Sequence, residues 1–133
     1  MANQLYDYGR ELFLAGSISW VSDTIKCALI DTGTYTFSAA HTSITSATAA
    51  FVGTASSAFA GKTVTSGIAD ANDVTINAVS GSSIEAIIIY KDGAPGTPMI
   101  AYIDTAASGL PVTPNGGDIT ISWSNGTNKI FKL

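Results

Sequence analysis

Residues 1–31, MANQLYDYGRELFLAGSISWVSDTIKCALID, hold the transition that decides the fold class. Asn3 to Ala15 reads as a short helix. Asn3 is placed to cap the first turn, and Leu5, Tyr8 and Leu12 recur at helical spacing with Phe13 beside them. Gly16 stands where a helix needs a residue of positive φ to end. From Asp23 the period changes to two, with Ile25, Cys27 and Leu29 on one side of a strand that closes near Asp31. A helix this short is marginal by itself, so its apolar stripe has to dock on the sheet or on a neighbouring subunit.

Beyond Asp31 the chain carries β signatures. Strands are expected at Lys62 to Ser66, Val74 to Val79 with Val74 and Ile76 inward, Ser83 to Tyr90, Met99 to Asp104, and Asp118 to Ser124. Asp92-Gly93, Asn115-Gly116 and Asn125-Gly126 supply the reversals. The run Ala86-Ile87-Ile88-Ile89-Tyr90 does not alternate, which is the pattern of a central strand covered on both faces. Trp123, Asn125-Gly126, Ile130 and Phe131 read as a terminal hairpin whose apolar end packs as a strand. Pro95, Pro98, Pro111 and Pro114 mark loops on either side of the Met99 strand. Thr32 to Gly61 is rich in Ser, Thr and Ala and weakly periodic. It reads as a long excursion with one strand near Ala49 to Ala55, the part most apt to extend from the core. The expected fold is mainly β in one domain: an antiparallel β-sandwich, jelly-roll-like, of about seven to eight strands with one short N-terminal helix.

A chain of 133 residues fits one core, burying roughly two thirds of the surface the unfolded chain exposes. Charged residues make up only 12%, about half the usual share, so Ser, Thr, Asn, Gly and Ala must cover much of the surface. Such a surface suits protein contacts. A net charge of −4 with six scattered Lys and Arg argues against a nucleic-acid footprint. The longest apolar run, Ala86 to Tyr90, falls far short of the ~20 residues that span a bilayer, so no membrane partner is expected. In Met1 to Arg10 no basic region precedes an apolar one, which predicts a product that stays in the cytoplasm unless it leaves within a particle.

Few residues suggest chemistry. Asp31-Thr32-Gly33 after an apolar run matches the triplet of aspartic proteases, and the chain length suits the dimeric retroviral type, in which two subunits each lend an Asp to one shared proton. The Gly-rich flap and later bracing segment of that pattern do not follow, and a turn capped by Asp31 accounts for the triplet. Cys27, the sole cysteine, admits neither an intrachain disulfide nor a thiolate cluster and alternates as a buried apolar residue. His41, the sole histidine, has no partner at zinc spacing. Asp70, Asn72 and Asp73 begin like a calcium loop but lack the remaining ligands, leaving a loop that enters the Val74 strand. Glu85, Asp92 and Asp104 are isolated carboxylates, and Gly61-Lys62-Thr63 lacks the upstream glycine of a phosphate loop. The expectation is a non-enzyme with no catalytic residue, metal or cofactor.

The head Leu5-Tyr6-Asp7, Gly9-Arg10, Phe13-Leu14 and Gly16, ahead of Asp23-Thr24-Ile25-Lys26, resembles the opening of a family of small virion proteins of tailed bacteriophages. The likeness continues through Lys62 to Thr65, Gly67 to Val74, Ile87 to Asp92, Ile100 to Asp104 and Leu110 to Gly117. It implies a structural protein of the virion: a capsid decoration or cement protein on the outside of the lattice, made in the host cytoplasm. Its partner would be the major capsid protein. A homotrimer at three-fold or quasi-three-fold sites is the form such proteins commonly take. The expected contact residues are Leu5, Tyr6, Tyr8, Leu12 and Phe13 of the head, Trp20 behind it, and Leu110 and Val112 in the rigid Gly109 to Gly117 connection, with the Thr32 to Gly61 region as an alternative contact surface. Two alternatives are a tail or head-to-tail component and a glycan-binding sandwich with exposed Trp20, Trp123 or Tyr102 stacking on a sugar. In the second, Trp123 alternates with Ile119 and Ile121 and reads as core.

Overall fold

A computed structural model describes residues 3–93 and 96–133; Pro95, expected in a loop, lies outside them. The described elements are β1 (Gln4–Leu5), α1 (Asp7–Leu14), β2 (Ile25–Ile30), β3 (Thr63–Thr65), β4 (Ile68–Asp70), β5 (Val74–Ile76), β6 (Ala86–Lys91), β7 (Met99–Ile103), β8 (Ile119–Ile121) and β9 (Phe131–Lys132), with 3₁₀ turns at Ile44–Ser46 and Thr48–Ala50. The protein is therefore mainly antiparallel β with a single described α-helix. Its strands form a four-stranded sheet in the order β1-β7-β6-β2, a three-stranded sheet β3-β4-β9 and a pair β5-β8.

The four-stranded sheet is buried on both faces. Ile25, Cys27 and Leu29 of β2 and Ile87 and Ile89 of β6 meet Val74, Ile76, Ile121 and Trp123 from the smaller sheets. The intervening residues, Ala28, Ile30, Ala86, Ile88 and Tyr90, belong to a second core with Tyr6, Tyr35, Ile44, Met99 and Tyr102. Alternation along each strand thus feeds two cores. The unbroken apolar run is the central strand β6, as its pattern required.

The second core is roofed by the Thr32 to Gly61 excursion, which does not extend from the molecule as its sparse large side chains suggested. Met99 donates its N–H to Thr42 O at 2.9 Å and Ile44 donates to Thr97 O at 3.0 Å, which ties the excursion to the start of β7. Its later part runs along the outer edge of β2: Val52, Ser56 and Phe59 donate to Leu29, Cys27 and Ile25 carbonyls at 2.9, 2.8 and 2.8 Å. The expected strand near Ala49 to Ala55 appears only as a bridge between Phe51 and Ile30. The ladder is irregular because the buried Ser56 hydroxyl accepts from Cys27 N–H at 3.0 Å, where a strand would use a carbonyl.

The N-terminal arm also departs from expectation. Asn3 does not cap the helix. Its Oδ1 accepts from the N–H groups of Asp104 and Thr105, both at 2.9 Å, holding the arm against the end of β7. Leu5 is in strand β1 opposite Ala101, and the helix starts after Tyr6. Between Ile89/Ala101 and Tyr90/Met99 the β6–β7 register slips, leaving Ile100 as the extra residue of a bulge. Tyr6 donates its N–H to the Ile100 carbonyl at 2.9 Å, and α1 lies on this bulge so closely that a Cβ on Gly9 would sit 2.6 Å from Met99 O. The helix ends as expected at Gly16 (φ 77°), where Ser17 N–H reaches Leu12 O at 2.8 Å and Gly16 N–H reaches Phe13 O at 3.2 Å, the paired bonds of a Schellman closure.

The expected terminal hairpin is absent. β8 pairs with β5 and β9 pairs with β4, so the strands on either side of Asn125-Gly126 are not partners. Gly93 (φ 96°) and Gly116 (φ 85°) take the positive φ expected of their turns; between β8 and β9 it is Lys129 (φ 48°) that does so. Asp73 Oδ1 receives Trp123 N–H at 3.0 Å, which anchors the end of β8 to the β5 strand entry and keeps it from folding back on β9.

Gly9→Ala, which would gain stability at a free helical site, should cost about 1–3 kcal/mol here because Met99 O must yield; thermal denaturation checks the sign. Removing residues 1–16 should abolish the near-ultraviolet circular dichroism of packed aromatics, because it uncovers both β7 and the Tyr6 cavity.

Candidate functional site

The residues that suggested chemistry have structural partners. Asp31 Oδ1 accepts from Gly33 N–H at 2.8 Å and its carbonyl accepts from Thr34 and Tyr35 N–H at 3.0 and 3.1 Å, a turn made by the Asp side chain. Thr32 donates through both N–H and hydroxyl to Glu85 Oε1, at 2.9 and 3.0 Å. The Ser83 hydroxyl, and then these Thr32 donors, hold the Glu85 carboxyl below its ordinary value. Asp70 O accepts from Trp20 Nε1 at 3.0 Å and Asn72 O from Trp123 Nε1 at 3.1 Å. Among the described residues no three His, Cys, Asp or Glu side chains come together as metal ligands.

Cys27 and His41 belong to opposite faces of the four-stranded sheet. The Cys27 side chain is in the first core, where burial pushes its thiol up to about 12. His41 borders the second, its Nδ1 2.7 Å from the Tyr35 hydroxyl, which in turn is 2.9 Å from the Tyr6 hydroxyl. Burial, first among the causes, raises the phenols of Tyr6, Tyr35, Tyr90 and Tyr102 above their ordinary value; for Tyr6 the Tyr35 hydroxyl adds to it.

The eight expected contact residues divide into three groups. Tyr6 is 0% exposed and Trp20 4%, so neither is a surface contact: Tyr6 fills the second core, and Trp20 packs edge-on against Phe59 and Phe131. Leu5, Leu12 and Phe13 are half-buried against the first core, and Tyr8 is half-buried. Leu110 and Val112 are half-buried too; Val112 exchanges both backbone bonds with Ile84 at 2.8 and 2.9 Å, so the connection packs inward. The buried indoles of Trp20 and Trp123 offer no open platform for a sugar.

Among the described residues the exposed large apolar side chains are Leu14 (84%), Val21, Val64 and Leu133, none of them an expected contact residue. A signal for Leu14 was present, since Leu12-Phe13-Leu14 places three apolar residues in a row and a helix cannot turn all three inward. Phe13, Val64, Phe131 and Leu133 surround a hollow of about 150 Å³. A larger opening runs where β1 and β7 approach β8 and β9 without pairing. Two hollows there, of about 290 and 300 Å³, share Asn3, Ile103 and Ile130 and together make one seam along that side.

No protein-family model matches the chain and no curated protein matches it.

Stability should be level at neutral pH and fall in alkali. A phenol whose folded value is raised stays neutral in both states below its ordinary value of 10.0. Above that value the unfolded chain ionises and gains stability the folded chain cannot share. Denaturant midpoints measured from neutral pH upward should begin to drop near pH 9, where the thiol ionises in the unfolded chain but not in the folded one, and fall further above pH 10, with native phenolate absorbance lagging behind that of the unfolded chain.

Proposed function

We propose that the chain is a virion structural protein of a tailed bacteriophage: a capsid decoration or cement protein that binds the outside of the major capsid lattice and stabilises it. The observation that carries this reading is where the phage-like blocks fall in the fold. Tyr6 fills a core, Gly9 seats the helix on the Ile100 bulge, Gly16 closes the helix and Val112 bridges to Ile84. A likeness concentrated on residues with architectural duties suggests a shared architecture. On this reading the two smaller sheets act as one layer opposite the four-stranded sheet, giving a sandwich of jelly-roll kind.

The surface supports a role in assembly. With charged residues at 12%, the chain leaves Leu14, Val21, Val64 and Leu133 exposed, and side chains of that type gain most from being covered by a neighbour. A homotrimer at three-fold or quasi-three-fold sites would repeat each modest contact with the major capsid protein, and linked contacts multiply affinity.

Cryo-electron microscopy of virions carrying this chain tests the role. Density between major capsid subunits on the outer lattice is the expected result. Density confined to the portal or tail would overturn decoration in favour of a head-to-tail or tail component.

A further inference from the structure

We propose that the seam between β1 and β9 is a docking groove for an extended acidic segment of a partner polypeptide, added as a strand between the two sheets. Three observations converge on this groove.

The first is backbone geometry. β1 is an outer strand of the four-stranded sheet and β9 an outer strand of the three-stranded sheet, and the hollows between them share Asn3, Ile103 and Ile130. Each of these strands has a single strand neighbour, and an unpaired strand edge is where extended peptides add to sheets. The second is the floor. Ile103 and Ile130 are half-buried, so apolar side chains at alternate positions of the incoming strand have something to cover.

The third is charge, which selects the occupant. Of the six basic residues, Lys26 pairs with Asp92 at 2.9 Å, Lys91 pairs with Asp23 at 3.2 Å, and Lys62 donates to the Asp23 carbonyl. The other three, Arg10, Lys129 and Lys132, all border the seam and form no ion pair among the described residues. A chain of net charge −4 thus gathers its uncommitted positive charge along one groove. A strand presents every second side chain to the same side, ~7 Å apart, so a segment alternating aliphatic and acidic residues meets floor and rim together. Single-stranded nucleic acid, the other extended polyanion, wants exposed aromatic platforms; here Phe131 is packed against Phe13 and Trp20, and Trp123 is buried.

The groove does not rest on the virion reading, and its test needs no capsid. A short peptide alternating Val and Glu is titrated into the whole protein and followed by backbone amide shifts. A Val–Lys peptide and an oligothymidylate are run in parallel. The expected result is saturable binding of the Val–Glu peptide alone, with shifts at residues 103–105 and 129–132 and weakening as salt rises. The doubly reversed variant Lys129→Glu with Lys132→Glu should lose affinity about tenfold or more. If that variant fails to fold, the exposed Arg10→Glu takes its place, and Lys26→Gln, remote from the seam, should bind as the wild type does. No binding of the Val–Glu peptide, equal binding of the Val–Lys peptide, preference for the oligothymidylate, or affinity indifferent to the reversed charges would each overturn the proposal.

Discussion

A middle strand with five consecutive buried residues, Ala86 to Tyr90, must be roofed on both faces, and that demand organises the rest of the molecule. The smaller sheets cover one face with Val74, Ile76, Ile121 and Trp123. The other receives the excursion and the N-terminal arm, which contribute Tyr35, Ile44, Ala47 and Tyr6. The helix follows from the same demand: a flat sheet would not take it so closely, whereas the bulge at Ile100 turns a carbonyl toward Tyr6 and leaves room for a residue without a side chain at Gly9. Strand, bulge, arm and helix are therefore one unit.

The second theme is how backbone polar groups are met where strands stop. Several edges end on side chains. Ser56 accepts from Cys27 N–H, Asn3 from Asp104 and Thr105 N–H, Glu85 from Thr32 N–H, and Asp73 from Trp123 N–H. Each replaces a ladder bond with one that fits a single geometry, which keeps the backbone donor satisfied without prolonging a strand. A chain rich in Ser and Thr has much of the material for this, with Asn3, Asp73 and Glu85 supplying the rest.

These two themes also explain what the sequence disclosed. Periodicity exposed the elements whose burial is one-dimensional: the alternation of Val74 and Ile76, the unbroken run of β6, the stop at Gly16. It was silent on Thr32 to Gly61, because a roof made of single inward residues such as Tyr35, Ile44 and Ala50 leaves no period to detect. It misjudged Asn3 and Asn125-Gly126, where a local capping or turn signal was overruled by contacts with residues some 50 to 100 positions away. Tyr6 and Trp20 read as surface contacts in the sequence because an aromatic next to polar residues looks the same whether it points in or out. The seam had no sequence signal at all: Arg10, Lys129 and Lys132 become neighbours only when β1 and β9 approach.

The setting of the lone thiol gives the molecule an internal gauge. Cys27 lies in β2 under the clasp that Val52, Ser56 and Phe59 form along that strand, and its sulfur is kept protonated by its surroundings. A disulfide reagent can reach it only when the first core opens, whether at the clasp or under the smaller sheets, and burial holds the thiol protonated until then. The rate of labelling therefore counts openings of the first core around β2, separately from fraying at the termini. The gauge is a single native sulfur, with no label engineered in.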